Sequence, residues 1–471
     1  MDEPTWVSLI PPLLAIGLAI ATRQVYLSLA TGVWAGWTLL SGWNPIAGAA
    51  AAIDGTVAVL GDESNAKVLL FTLVIGALIA TVEAANGVRG FVAWLEHRRF
   101  VDSPRRAQLL AYIIGMVIFI ESNITVLVAG AVGRPLFDRY RVSREKLAYI
   151  VDSTSAPVCI LIPLNAWGAY VLGILGSLSV ANPLQVFLKT IPLNFYAIAA
   201  VVLTGLTIAW KLDFGPMRRA EERTRAGKLL WDGAVPLIDI EVLAPPPNEK
   251  VPPRAINMLL PIATMVATMP IALLITGSGD MRQGSGSTSV LWAVMSGLIV
   301  AWVLLKVQRA YTMDELVRLA LKGAGGLVGM ALVLLLALSL ATVANRLGTG
   351  TWVAQVTSGF LPPALFLPLV FAVSSFVAFA TGTSWGTFAI MLPIAVPAAM
   401  TLGLPVAPFA AAALGGGVFG DHASPISDTT IISSMASSTD HIDHVRTQLP
   451  YALLAGAVAL VAFAITGAII A

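Results

Sequence analysis

The chain of 471 residues is 57% hydrophobic and 11% charged, against about 25% charged in soluble domains, and many of its apolar runs are long enough to cross roughly 30 Å of hydrocarbon. The single cysteine, Cys159, excludes an internal disulfide and a cysteine metal cluster, and its apolar surroundings favour a packing role. The net charge of +2 needs no nucleic-acid partner, because 21 of the 28 Lys and Arg fall in five stretches (97–106, 134–146, 211–228, 250–254 and 306–322), a positive-inside pattern that places those loops in the cytoplasm.

The fold class that follows is an all-α polytopic membrane protein with about 10–12 crossings. MDEP runs straight into the apolar stretch Trp6–Thr22 with no basic leader or small-residue cleavage site, so a retained first helix is expected and no signal peptide. The apolar run 47–60, holding Asp54, is short for a crossing, and Glu83 sits at the interfacial end of the crossing Val68–Val82. Next, Ala107–Gly133 is flanked by arginines on both sides, Arg105 and Arg106 before it and Arg134 after it, so it should enter and leave on one face. Its polar interruption Glu121-Ser122-Asn123-Ile124-Thr125 lies where a re-entrant hairpin would have its tip, and irregular backbone at that depth must line a cavity or be buried in protein.

Leu147–Leu178 then reads as a crossing broken at Asp152-Ser153-Thr154-Ser155-Ala156-Pro157, since proline removes a helix donor and hydroxyl side chains compete for backbone bonds. After Thr190–Trp210, the polar linker 211–254 divides the chain near its middle. The second half repeats the order without basic flanks: from Leu347 to Gly420, 74 consecutive residues contain no Asp, Glu, Lys, Arg or His. Within them Pro362–Met400 is interrupted by Thr381-Gly382-Thr383-Ser384-Trp385-Gly386-Thr387, as in a hairpin entering from outside. Leu404–Gly420 then runs into Asp421-His422-Ala423-Ser424-Pro425-Ile426-Ser427-Asp428-Thr429-Thr430, a second broken helix. A hairpin followed by a broken helix, twice and from opposite sides, is the signature of two inverted-topology repeats.

The domain plan is therefore scaffold helices over 1–106, a first hairpin and broken helix over 107–180, and connecting scaffold helices over 181–345. A second hairpin and broken helix follow over 346–439, and a cytoplasmic segment with the last helix over 440–471. Ionisable groups kept inside a membrane mark a functional site. Here the tips supply hydroxyl and amide oxygens from Ser122, Asn123, Thr125, Thr381, Thr383 and Ser384, and the breaks supply Asp152, Asp421 and Asp428. Such hard oxygen ligands suit Na⁺ better than a transition metal. A dehydrated carboxylate that holds either a proton or Na⁺ is by itself an exchange mechanism, with Glu121, Asp152, Asp421, His422 and Asp428 as the proton-coupling candidates. Half-helix N-termini can equally hold a substrate carboxylate. The plain alternatives are an N-cap role for Asp421 or Asp428, and for Asp440, His441, Asp443, His444 and Arg446 a cytoplasmic interface network ahead of the last crossing Leu449–Ala471. Gly415-Gly416-Gly417 reads as close helix packing, and there is no hydrolase triad, P-loop or metalloprotease helix to suggest an enzyme.

The stretch GDHASPISDTTIISSMASSTDHIDHVRTQL (420–449) resembles the NhaC-type Na⁺/H⁺ antiporter family of the larger ion transporter superfamily, as do AQLLAYIIGMVIFI (107–120), RPLFDRYRVSREKLAYIVDSTSAPV (134–158) and TSWGTFAIMLPIAVP (383–397). The resemblance implies a transport core of two hairpins and two broken helices that moves in an elevator-like way against a scaffold, usually in a homodimer. It carries the family's acidic and hydroxyl positions onto Asp152, Ser153, Thr154, Asp421, Ser424, Asp428, Thr429 and Thr430. In one respect the chain departs: many members have paired aspartates where this chain has Glu121-Ser122-Asn123, and the Ser122–Thr125 tip is similar to those of the superfamily's dicarboxylate symporters. The function expected is Na⁺ for H⁺ exchange across the inner membrane, with transported ions but no cofactor; the alternative is Na⁺- or H⁺-coupled transport of a small organic anion or amino acid.

Overall fold

The computed structural model describes residues 5–22, 24–97, 101–119, 122–178, 180–236, 251–360 and 362–471, and among them there is no β-strand, only a single bridge between Pro236 and Asp440. The first half runs α1 (Ile10–Thr22), α2 (Val25–Leu40), α3 (Pro45–Leu60), α4 (Glu63–Ala84), α5 (Gly87–His97), α6 (Pro104–Val117) and α7 (Ser122–Arg139). It continues through α8 (Arg144–Ser153), α9 (Ala156–Cys159), α10 (Ala166–Ser177), α11 (Pro183–Thr190), α12 (Phe195–Trp210) and α13 (Gly215–Arg225). The second half runs α14 (Ile256–Thr276), α15 (Gly286–Val307), α16 (Met313–Gly326), α17 (Val328–Leu347) and α18 (Thr349–Phe360). It ends with α19 (Pro363–Thr381), α20 (Ser384–Thr401), α21 (Val406–Ala423), α22 (Asp428–Ala436) and α23 (His441–Ile470).

Local chemistry explains most helix starts. Asn44, Asn182 and Ser103 cap helices that begin with proline, and Thr312 with Glu315 closes a capping box on α16, so the orphan N–H groups of each first turn find partners. Among the described residues seven segments are long and apolar enough to cross a membrane unaided: Glu63–Ala84, Pro183–Arg225, Ile256–Thr276, Gly286–Val307, Ala364–Thr381, Ser384–Thr401 and His441–Ile470. The pair Met313–Gly326 and Ala331–Leu347, bent by 45°, would make an eighth. Further crossings expected from hydropathy fall on shorter apolar helices such as α3 and α10, which are not long enough to be counted as spans.

The interruptions read from the sequence are real helix breaks. α6 ends with its C-cap at Ile118, α7 starts at Ser122 and the two helices pack side by side, while α8 ends at Ser153, giving way to the single turn of α9. In the second half α19 and α20 pack against each other about Gly382-Thr383, and Ser424–Ser427 separates α21 from α22. Gly382 is needed twice over: its φ of 68° is left-handed, and a Cβ there would lie 2.5 Å from the Ile426 carbonyl oxygen in the break. The Gly415–Gly417 stretch packs closely, as expected, with Gly416 against the Phe371 carbonyl and Gly417 against Phe388.

Packing gathers α6–α9, α12, α19 and α21–α23 into one bundle, where α19 lies along α21 and α23, and α12 lies along α23 and α21. A second set, α1–α5 with α14–α17, packs mainly on itself, and α18 lies along α20. α10 and α20 stand between the two sets, α10 against α4 and α17, and α20 against α17, α18 and α21. A ring cluster joins these two intermediaries: Trp167 and Trp385 lie 4.7 Å apart, and Tyr170 donates its hydroxyl to the Trp385 carbonyl at 2.9 Å.

Candidate functional site

Asp152 is the last-turn carboxylate of α8, 1% exposed, and its backbone carbonyl accepts the Ser155 hydroxyl at 2.9 Å, which stabilises the break just beyond it. Its Oδ2 accepts a hydrogen bond from Gln448 Nε2 at 2.7 Å, and His444 Nε2 and His422 Nε2 lie 3.4 and 3.9 Å away. Gln448 Nε2 also donates to the His422 carbonyl at 2.8 Å. One amide thus ties the end of α8 to the end of α21. The His422 ring continues the chain of contacts, with Nε2 3.2 Å from Ser153 Oγ and Nδ1 2.6 Å from the Tyr196 hydroxyl, an arrangement that admits either neutral tautomer.

A bare carboxylate in so dry a place would be costly, and the surrounding donors offset that cost at Oδ2 alone. Among the described residues Asp152 Oδ1 has no hydrogen-bond partner, nor do His444 Nδ1 and Gln448 Oε1. The local arrangement therefore places two imidazoles and an amide beside one buried acid, groups of the kind that exchange a proton, and leaves one carboxylate and one amide oxygen unpartnered among the described residues.

Asp421 lies inside α21, 2% exposed, and accepts the Ser384 hydroxyl at 2.8 Å, so hairpin tip and broken helix meet there. Ser424 donates to the Phe379 carbonyl at 2.7 Å and joins the same tip to the break. The N-cap expected from Asp421 or Asp428 is instead Ser427, whose hydroxyl accepts from Thr430 N and lies 2.9 Å from Thr429 Oγ1; Asp428 is the first helical residue. A serine suits this cap because its short side chain reaches its own first turn.

Other expected positions lie apart from Asp152. Thr125 donates to the Ile118 carbonyl, closing the first hairpin tip, and Ser122 is a buried residue at the start of α7. Thr154 bonds back to the Ile150 carbonyl and sits against Gly115 of α6, where no Cβ would fit. Thr381 uses its hydroxyl on Val377, and with Thr383 it lines a crevice facing Ser28 and Leu29 of α2. Glu121 is outside the described residues, as are the side chains of Asn123 and Asp428.

The segment expected to be only a cytoplasmic network divides. Asp440 does meet the linker, taking Val235 N at 3.0 Å while capping α23, and His441 Nε2 contacts the Pro425 carbonyl at 2.7 Å. His444, however, is fully buried beside Asp152. His444 and Gln448 stand four residues apart on one helix face that continues through Tyr451 and Ala455, all buried. That helical spacing, run backwards from the apolar crossing, was the signal available in the sequence. Asn165 was also missed: it donates to the Phe119 and Cys159 carbonyls at 3.0 and 2.8 Å, and its Oδ1 caps α10.

At the end of α8 away from Asp152, charges are paired in a buried network. Arg223 of α13 makes a bidentate pair with Glu145 at 2.7 and 2.9 Å, Lys146 pairs with Asp213, and Glu221 accepts both the Ser143 amide and hydroxyl. α13 is thereby fastened to the first turn of the helix that carries the central acid.

The chain as a whole is similar to known proteins. The model of the Na⁺/H⁺ antiporter family matches residues 158–468. An uncharacterized protein of Haemophilus influenzae is 32% identical over 484 aligned positions, 98% of this chain and 90% of its own length. The arginine/ornithine antiporter ArcD of Halobacterium salinarum is 30% identical over 213 residues, 44% of this chain and 41% of its own length. The malate-2H(+)/Na(+)-lactate antiporter of Bacillus subtilis is 30% identical over 179 residues, 37% and 38% respectively. In fold, the crystal structure of the YdaH transporter of Alcanivorax borkumensis superposes with a TM-score of 0.59 at 14% identity, covering 90% of this chain and 88% of that one. With that family's match over most of the chain, the protein is a multi-pass membrane secondary transporter, and it belongs to the Na⁺/H⁺ antiporter family.

Proposed function

We propose that this transporter exchanges Na⁺ for H⁺ across the inner membrane, with Asp152 as the group for which the two ions compete. The observation that carries the reading is the half-satisfied carboxylate: Oδ2 is held by Gln448 while Oδ1 and Gln448 Oε1, both buried, have no partner among the described residues. Na⁺ would take those oxygens, and a proton arriving through the imidazoles of His422 and His444 would displace it, since one carboxylate cannot hold both. The bundle containing α6–α9, α12, α19 and α21–α23 is the moving core of an elevator-like cycle, α1–α5 and α14–α18 are its frame, and a homodimer steadies the frame. Proteoliposomes test this: an outward Na⁺ gradient should acidify the lumen in step with Na⁺ efflux, and Asp152→Asn should abolish the coupling while the protein still elutes as a folded species. Na⁺ flux that leaves lumenal pH unchanged would refute the exchange.

A second reading has its own support. Two relatives are named for antiport of arginine and ornithine and of malate and lactate, although each aligns with less than half of this chain. Under that reading the ions drive a small organic acid or amino acid. The same vesicles decide it, because Na⁺ or H⁺ movement would then require the added solute.

A further inference from the structure

α22 and its C-terminal end carry a row of hydroxyls of which only Thr430 figured among the expected site positions. Thr430, Ser433 and Ser437 follow at i, i+3 and i+7 and so share one helix face, with Thr439 just beyond. Each is at most 1% exposed, and among the described residues each hydroxyl lacks a hydrogen-bond partner. This is unusual in a helix, where such groups turn back to their own carbonyls, as Thr381, Thr387 and Thr447 do here. A run of buried polar groups without protein partners is what a wetted surface looks like when closed.

The two ends of the row give it a direction. At one end α22 follows the break after His422, whose ring touches Ser153, next to Asp152 with its unpartnered Oδ1. At the other end Ser438 Oγ accepts from Arg134 Nη1 at 2.6 Å and the Ser438 carbonyl accepts from Arg144 Nη1 at 3.0 Å. Arg144 opens α8 and Asp152 nearly ends it, so α22 and α8 lie alongside with their ends matched in opposite order. From Thr430 to the C-cap Ser437 is seven residues, about 10 Å at helical rise, and the chain turns out of the helix at Ser438 before reaching Thr439. Arg134 and Arg144 belong to the basic stretch that positive-inside reasoning puts in the cytoplasm.

We infer that the Thr430–Ser433–Ser437 face, with Thr439 beyond the helix end, lines the cytoplasmic access route of the transported cation, a hydrated path from Asp152 that Arg134 and Arg144 close by holding Ser438. The choice of Na⁺ as occupant rests on the exchange reading above; the route itself rests on the geometry. Hydroxyl oxygens replace water around Na⁺ without binding it tightly enough to stop it, as a path requires.

Cysteine accessibility tests the route. In full-length protein carrying Cys159→Ala, Ser433→Cys and Ser437→Cys are exposed in inside-out vesicles to a membrane-impermeant methanethiosulfonate reagent. Met435→Cys, on the opposite face of α22, is the control. The expected result is modification of the first two from the cytoplasmic side, loss of transport on modification, and slower modification in Na⁺; Met435→Cys should stay unmodified. Equal labelling of all three, or labelling of none or only from the outside, would overturn the route. Where a cysteine variant does not assemble, Ser433→Ala and Ser437→Ala replace it: slower Na⁺ flux supports the path and wild-type flux in both refutes it. Protection by an amino acid or carboxylate instead of Na⁺ would support the route while overturning Na⁺ as the cargo.

Discussion

Gln448→Met removes the amide that organises the central acid while nearly preserving side-chain length in a site 1% exposed. The lost bond of 2.7 Å runs to a carboxylate, and bonds to charged groups contribute about 1.5–3 kcal/mol; the second, of 2.8 Å to the His422 carbonyl, contributes about 0.5–1.5 kcal/mol. The first term acts on the charged form of Asp152, the form that takes Na⁺, and the substitution also removes Gln448 Oε1, one of the two oxygens proposed for the ion, so the loss of this one bond sets a lower bound on the effect. At about 1.4 kcal/mol per tenfold, half-saturation by Na⁺ at fixed pH should rise roughly 10- to 100-fold. The second term acts on the tie between α8 and α21 and should lower the thermal midpoint in detergent by a few degrees. Na⁺-driven flux in proteoliposomes over a Na⁺ titration, with thermal denaturation of the same preparation, separates the two terms. A Na⁺ half-saturation within twofold of wild type would show that the amide neither supports the charged acid nor supplies an oxygen to Na⁺.

Three other substitutions probe the scaffold of the site. Gly382→Ala forces a left-handed residue, worth about 1–2 kcal/mol, and drives a Cβ toward the Ile426 carbonyl 2.5 Å away, so transport should fall far more than expression; near-normal flux would sink the idea that this tip must seat against the break. Arg223→Met strands Glu145, which is fully buried, and should destabilise by about 3–5 kcal/mol in thermal unfolding, with Glu145→Gln in the same chain recovering most of it. Asn165→Ala removes bonds of 3.0, 2.8 and 2.9 Å to Phe119, Cys159 and Gly168, about 1 kcal/mol each, and an unchanged midpoint would mean that the first hairpin tip is held by other contacts.

The two broken helices were legible because a proline or a carboxylate inside an apolar run contradicts its surroundings, and Pro157 and Pro425 mark both places. Gly382 was legible as part of a polar tip, but its contact with Ile426 was not. His444 was misread because it sits among Asp440, His441 and Asp443, and a cluster of charges beside a crossing reads as interface until helical spacing is followed through Gln448 to Tyr451. Ser427 replaced Asp421 and Asp428 as the cap for an equally local reason, since three polar residues compete for that turn and spacing does not choose among them.

Hydropathy and helix breaking are properties of short stretches of chain, and they sufficed for the membrane class and the polar interruptions that bear Asp152 and Asp421. Which groups meet at those interruptions was decided by packing alone. Gln448 reaches Asp152 across 296 positions and His422 reaches Ser153 across 269, and no local pattern encodes a contact at that separation. Only when α23, α21 and α8 close on one another do a lone carboxylate, two imidazoles and an amide become one site.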